Sequence, residues 1–249
     1  WGAGYQPVWS DLDNDGDLDI YVINDFGGSI QPNVLWRNDG QFSNGVWKFV
    51  DVSSGSNTDV SVYGMGVAIG DYDLNGFMDI FVTNIKDNVL LRHDGKGLKY
   101  TNVSSNVIPT ISNIGGAPRV TWGSVFFDYD NDGDEDLYVV SGHLGEGTTE
   151  VKNPMSQPNL LLGNNQDGTF SRITGKGVAD DDGVGRSVVY LDFNNDGCLD
   201  LYLTNYGQRS KLMQNTCRTG NNLECIHLGW SKYLRMINNK GRDISKIKA

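Results

Sequence analysis

The chain has 249 residues, 38% of them hydrophobic and 20% charged, with a formal net charge of −11. An acidic chain with no basic stripe repels duplex phosphates, which excludes nucleic-acid binding as a function class. No apolar run approaches the ~20 residues that span a bilayer, so no transmembrane segment is predicted. The chain starts at Trp1 rather than Met, as a mature product or a fragment would.

In chain order, four units repeat one pattern. The first opens on the extended stretch Tyr5-Gln6-Pro7-Val8-Trp9 and meets an acidic loop, Asp11-Leu12-Asp13-Asn14-Asp15-Gly16-Asp17-Leu18-Asp19. Ile20–Ile23 and Asn33–Trp36 read as strands, Asn38-Asp39-Gly40 as a turn, and Trp47–Val52 as a fourth strand. The second unit runs through Gly66–Ile69, the loop Asp71–Asp79, Ile80–Val82, Asn88–Leu91, Asp94-Gly95 and Leu98–Val103. The third has Trp122–Phe127, the loop Asp128–Asp136, Leu137–Val139, Asn159–Leu162, Asp167-Gly168 and Phe170–Ile173. The fourth has Ser187–Leu191, the loop Asp192–Asp200, Leu201–Leu203 and Lys211–Gln214, where the pattern ends. The loops start 57 to 64 residues apart, and a fixed signature at such a period marks a repeat architecture. The units divide at about 1–60, 61–117, 118–180 and 181–215, leaving 216–249, which reads either as a fraying tail or as the start of a small β domain.

Each loop offers oxygen at positions one, three, five and nine, with Gly at position six. Calcium takes six to eight oxygens, and alternate residues of a tight loop can aim several at one centre. Gly at position six permits the positive φ of a sharp turn. Position seven varies most, which suits a ligand given by a backbone carbonyl. The predicted metal ligands are therefore Asp11, Asp13, Asp15, Asp17 and Asp19 in loop one, and Asp71, Asp73, Asn75, Phe77 and Asp79 in loop two. In loop three they are Asp128, Asp130, Asp132, Asp134 and Asp136, and in loop four Asp192, Asn194, Asp196, Cys198 and Asp200. An EF-hand needs a bidentate Glu at position twelve between helices. Here Val22, Val82, Val139 and Leu203 stand there between strands, so that reading fails.

Four D-x-[DN]-x-[DN]-G-x-x-D loops set between strands resemble the FG-GAP/VCBS repeats of integrin α-type propellers. They resemble the extracellular cartilage acidic protein group more closely still, over roughly residues 1–215. The resemblance implies an all-β propeller of four-stranded blades binding about four Ca²⁺, one per blade. Integrin-type rings close with seven blades, so the four here are expected to be part of a larger ring rather than an open arc. Small residues before each loop (Gly4, Gly64, Gly66, Gly123, Gly185, Ser187) fit first strands that converge on a central channel.

The location expected is extracellular, because loops of this kind bind calcium at the ~0.1–1 mM found outside cells. Cys217 and Cys225 close a short loop and are placed to pair, with Cys198 left over. The connections between second and third strands emerge opposite the metal loops and lengthen in units one and three. Loops that lengthen on one face of a rigid scaffold carry recognition, which nominates Asp25, Phe26, His143 and Glu146 as contacts for an extracellular protein or glycan. The alternative is a calcium-dependent polysaccharide lyase or hydrolase. No nucleophile or zinc motif is present, and the acids sit in repeated identical settings, whereas a catalytic pair needs distinct ones. No catalytic residue is therefore expected.

Overall fold

The computed structural model describes residues 2–110, 113–114, 117–143, 157–175, 180–217, 223–229 and 235–237. Blade one is β1 (Ala3–Ser10), β2 (Asp19–Asp25), β3 (Val34–Gln41) and β4 (Trp47–Asp51), paired antiparallel in chain order. The one-turn helix α1 (Ser53–Ser56) leads to blade two, β5 (Val67–Gly70), β6 (Asp79–Val82), β7 (Val89–His93) and β8 (Tyr100–Asn102). After α2 (Ser104–Val107) and the short pair β9 (Asn113–Ile114) and β10 (Ala117–Pro118) comes blade three. It comprises β11 (Thr121–Phe127), β12 (Asp136–Ser141), β13 (Leu160–Asn164) and β14 (Phe170–Ile173). Blade four is β15 (Gly185–Leu191), β16 (Asp200–Asn205), β17 (Lys211–Asn215), β18 (Leu223–Gly229) and β19 (Arg235–Ile237). This is the all-β propeller arrangement that the repeat predicts.

The sequence pattern stops at Gln214, yet β18 pairs with β17 from Asn215↔Leu223 to Leu212↔Ile226. Residues placed in a tail thus supply the outer strands of blade four. Units one to three announce the turn before the outer strand with Asp-Gly, and unit four has no such cue.

Period-two alternation gives every sheet two faces, and the core lies between blades rather than within one. Tyr21, Ile23 and Leu35 of blade one pack on Ile80, Val82 and Leu91 of blade two. Phe81 and Leu90 meet Leu137 and Leu160, and Tyr138 and Leu161 meet Leu201 and Met213. The first strands approach so closely that a Cβ on Gly66 would stand 2.0 Å from the Trp122 carbonyl oxygen. A Cβ on Gly123 would stand 2.8 Å from the Ser187 Cα. Only Gly fits at these two positions.

Among the described residues, apolar side chains stand exposed on the outward faces of the first and last blades. Trp9, Ile20 and Trp36 share a face through their register, and Trp9 is 56% exposed. At the other end, Val189 and Leu191 are exposed.

The cysteine expectation is corrected: Cys198 is bonded to Cys217, with Cα atoms 5.8 Å apart. The Asn215 N–H donates to Asp200 Oδ1 at 2.7 Å, which seats the end of β17 beside loop four. Cys217, two residues on, thereby meets position seven of the loop.

Candidate metal loops and the opposite face

Each loop is a closed set of backbone-to-carboxylate bonds. The position-one carboxylate accepts from the N–H groups of positions five and six, as Asp11 does from Asp15 (3.1 Å) and Gly16 (2.9 Å). Asp71, Asp128 and Asp192 repeat the arrangement. Position five accepts from the N–H of position seven, which fixes the chain beyond the Gly. The glycines take φ of +94°, +87°, +96° and +82°, as position six requires. Position four is also left-handed in every loop, held by Asn14, Leu74, Asn131 and Asn195.

The position-nine aspartates are buried. Each accepts from the N–H of position two and from that of a residue at or near the end of the third strand, as Asp79 does from Tyr72 (3.3 Å) and His93 (2.7 Å). Asp19, Asp136 and Asp200 do the same. Burial pushes Asp79 and Asp136 up to about 8 and Asp200 to about 6, partly offset by those backbone donors.

Position three behaves differently. Asp13 Oδ1, Asp73 Oδ1 and Asp130 Oδ1 are shut off from water and have no hydrogen-bond partner. A buried carboxylate oxygen left alone is strongly unfavourable unless a cation meets it. Burial, together with Asp19 and Asp15 nearby, pushes Asp13 up to about 6. Carboxylate oxygens of Asp11, Asp13 and Asp15, of Asp71, Asp73 and Asp79, and of Asp128, Asp130 and Asp136 each gather within 4.8 Å of one another. These three clusters are suited to a hard cation.

Loop four is built otherwise. Asn194 Nδ2 donates to Asp196 Oδ2 at 2.8 Å, while its Oδ1 accepts the Asp196 N–H at 3.1 Å. The amide thus turns both atoms onto its neighbour.

At the opposite end of the strands, the Asp25 carboxylate accepts the Phe26 N–H at 2.9 Å. Phe26 has a φ of +56° and stands edge-on to Tyr63, with ring centroids 5.6 Å apart. His143 is half-buried, and its carbonyl accepts from Arg186 Nη2 at 3.1 Å. Glu146 lies outside the described residues. The structure adds residues that the loop lengths did not nominate. The Arg186 guanidinium lies 4.1 Å from the Trp122 ring centroid and 5.2 Å from that of Tyr206, and Tyr5 adjoins Trp122. Tyr5, Phe26, Tyr63 and Tyr206 are all exposed. Aromatic residues at the ends of strands furthest from the loops were the available signal.

Among the described residues no helix is long and apolar enough to cross a membrane. The FG-GAP-like repeat family matches residues 11–82 and 71–139. Cartilage acidic protein 1 of Xenopus tropicalis is 25% identical over 197 residues, which is 77% of this chain and 27% of that protein. The chain thus spans about a quarter of that relative's length. A solved structure of an Agrocybe aegerita lectin, described as recognising non-reducing terminal N-acetylglucosamine, aligns with a TM-score of 0.42 at 17% identity. That alignment covers 95% of this chain and 66% of the lectin chain.

Proposed function

Because the chain belongs to the FG-GAP-like repeat family, we propose that it is a calcium-stabilised propeller that acts outside the cell as a recognition module for a protein or glycan. The observation that carries the calcium reading is the unpartnered, buried position-three oxygen repeated in Asp13, Asp73 and Asp130. The side chains of positions one, three, five and nine, with the carbonyl of position seven, are the ligands assigned in each loop. Calcium there supplies positive charge to converging carboxylates and holds the hairpin between first and second strands. All-oxygen donors suit calcium, and millimolar calcium is an extracellular condition. A relative named for cartilage and acidity accords with that setting.

Recognition is assigned to the face opposite the loops. Exposed aromatics bury large area with little loss of side-chain freedom, and Tyr5 in β1, Phe26 and Tyr206 in the turns after β2 and β16, and Tyr63 in the segment before β5 stand there. Asp25 and His143 supply polar contacts beside them. The family points to a non-enzymatic propeller, and the reading includes no reaction.

The test is binding to an array of glycans and matrix proteins, in millimolar calcium and in EDTA. Calcium-dependent capture of one ligand class, weakened at least tenfold by Phe26→Ala with Tyr63→Ala, is expected. Capture that survives both substitutions unchanged would refute this face as the contact surface.

A further inference from the structure

We propose that a second hard divalent cation binds between loops two and three, on the side chain of Asp134 and on that of Asp132, the position-five residue, whose carboxylate it shares with the ion assigned within loop three. Asp134 is only 3% exposed, and neither of its carboxylate oxygens has a hydrogen-bond partner. The oxygens that converge inside loop three are those of Asp128, Asp130 and Asp136, and Asp134 is not among them.

The other loops show where a position-seven side chain goes. Cys198 is bonded to Cys217, and Phe77 lies flat on His93 at 4.6 Å between centroids. Asp17 Oδ2 is 3.7 Å from where a Cβ on Gly40 would stand. Each faces residues at or just beyond the end of its third strand. In blade three that place is held by Gln166, which lines a cleft of about 280 Å³ together with Asp134, Asp132, Gly133, Tyr72 and Leu74. Gln166 Nε2 already donates to Asp132 Oδ2 at 3.1 Å, and Asp132 Oδ1 accepts the Asp134 N–H at 3.2 Å.

The cleft exists because one tie between blades is missing. Asn14 Nδ2 donates to the Gly76 carbonyl at 3.0 Å, and Asn131 Nδ2 to the Gly197 carbonyl at 2.8 Å. At the middle junction the same position is Leu74, which has no amide to offer Gly133. Leu74 also keeps the left-handed conformation, at a φ of +55°, and is 64% exposed. The gap gives an ion an entry path and room for its remaining waters. Oxygens closed to water are reached by an ion small enough to sit between carboxylates, and less readily by an ammonium group as large as a water molecule.

Equilibrium dialysis with radioactive calcium decides the matter, using the whole chain and checking folding by circular dichroism. Asp134→Asn keeps the shape and is expected to remove one bound equivalent. Asp130→Ala removes one from loop three, and the double variant removes two. A double variant that loses only the one equivalent lost by Asp130→Ala would place Asp134 in the loop-three site and overturn the proposal. Unchanged stoichiometry in Asp134→Asn would overturn it as well. If Asp134→Asn loses an equivalent and Asp130→Ala loses none, the cleft site stands and the loop-three reading falls. Gln166→Leu, which removes a neutral group lining the cleft, is expected to weaken that one equivalent severalfold without emptying the loops.

Discussion

Loop three carries five aspartates and loop four carries three, and what closes each loop differs accordingly. In loop three Asp130 keeps a buried oxygen with no partner, and Asp128, Asp130 and Asp136 converge. In loop four Asn194 bonds to Asp196, and a disulfide ties position seven to the end of β17. The backbone bonds are the same in both. One backbone geometry can therefore be held by an ion that neutralises crowded carboxylates, or by a covalent tie that needs fewer of them. Loops one and two side with loop three in their position-three aspartates.

The largest test of this contrast is metal removal. A site saturated at a hundredfold excess over its Kd adds about 2.7 kcal/mol of stability. A chain of this size shifts by about 2–4 °C per kcal/mol. Emptying loops one to three with EDTA should thus lower the Tm by on the order of 20 °C, measured by circular dichroism. Asp130→Ala should reproduce roughly a third of that loss and Asn194→Ala far less. An unchanged Tm in EDTA would sink the metal assignment in all loops.

Next in size is the disulfide. Cys198 and Cys217 are 19 residues apart, and closing a loop of that length contributes about 3 kcal/mol in the chain-entropy model. Cys198→Ser with Cys217→Ser should lower stability by about that amount in calcium. More tellingly, amide exchange of residues 192–200 should become calcium-dependent once the tie is gone. Exchange there that stays insensitive to calcium would mean that the bond does not stand in for an ion.

The uneven legibility of these features in the sequence has a physical basis. The blades were readable because strand alternation and the Gly at position six are local requirements that each unit must meet alone. The turn of each loop was readable for the same reason. Chain distance alone makes Cys225 a possible partner for Cys217, whereas β17 carries Cys217 back to loop four by sheet register. Strand β18 was missed because its preceding turn lacks the Asp-Gly cue. The Arg186 stack on Trp122 joins two blades and follows from no local pattern. Features set within a unit were visible, and those set between units were not.

A gain of function should sharpen the contrast by a smaller amount. Asn194→Asp removes the amide donor to Asp196 and supplies the missing carboxylate at position three. Ligand charge tunes the affinity of such loops, so loop four should bind calcium on the order of tenfold more tightly. Titration calorimetry with the disulfide intact would measure it. No gain would show that the disulfide, rather than Asn194, limits the site.

The last contrast is in pH, and its sign follows from the position-nine aspartates. In the metal-free chain, burial raises Asp79 and Asp136 to about 8 and Asp200 to about 6, against about 3.9 when unfolded. A raised carboxyl pKa means that the folded chain holds protons which the unfolded chain has released. That stability is fully present below about pH 4 and is lost as pH rises, through about 6 for Asp200 and about 8 for the other two. The Tm in EDTA should therefore fall as pH rises from 5 to 8, measured by circular dichroism. Calcium must displace these protons to bind. Affinity at loops two and three should thus weaken as pH drops from about 8, and at loop four only below about 6. A common pH midpoint for loops two, three and four would erase the distinction.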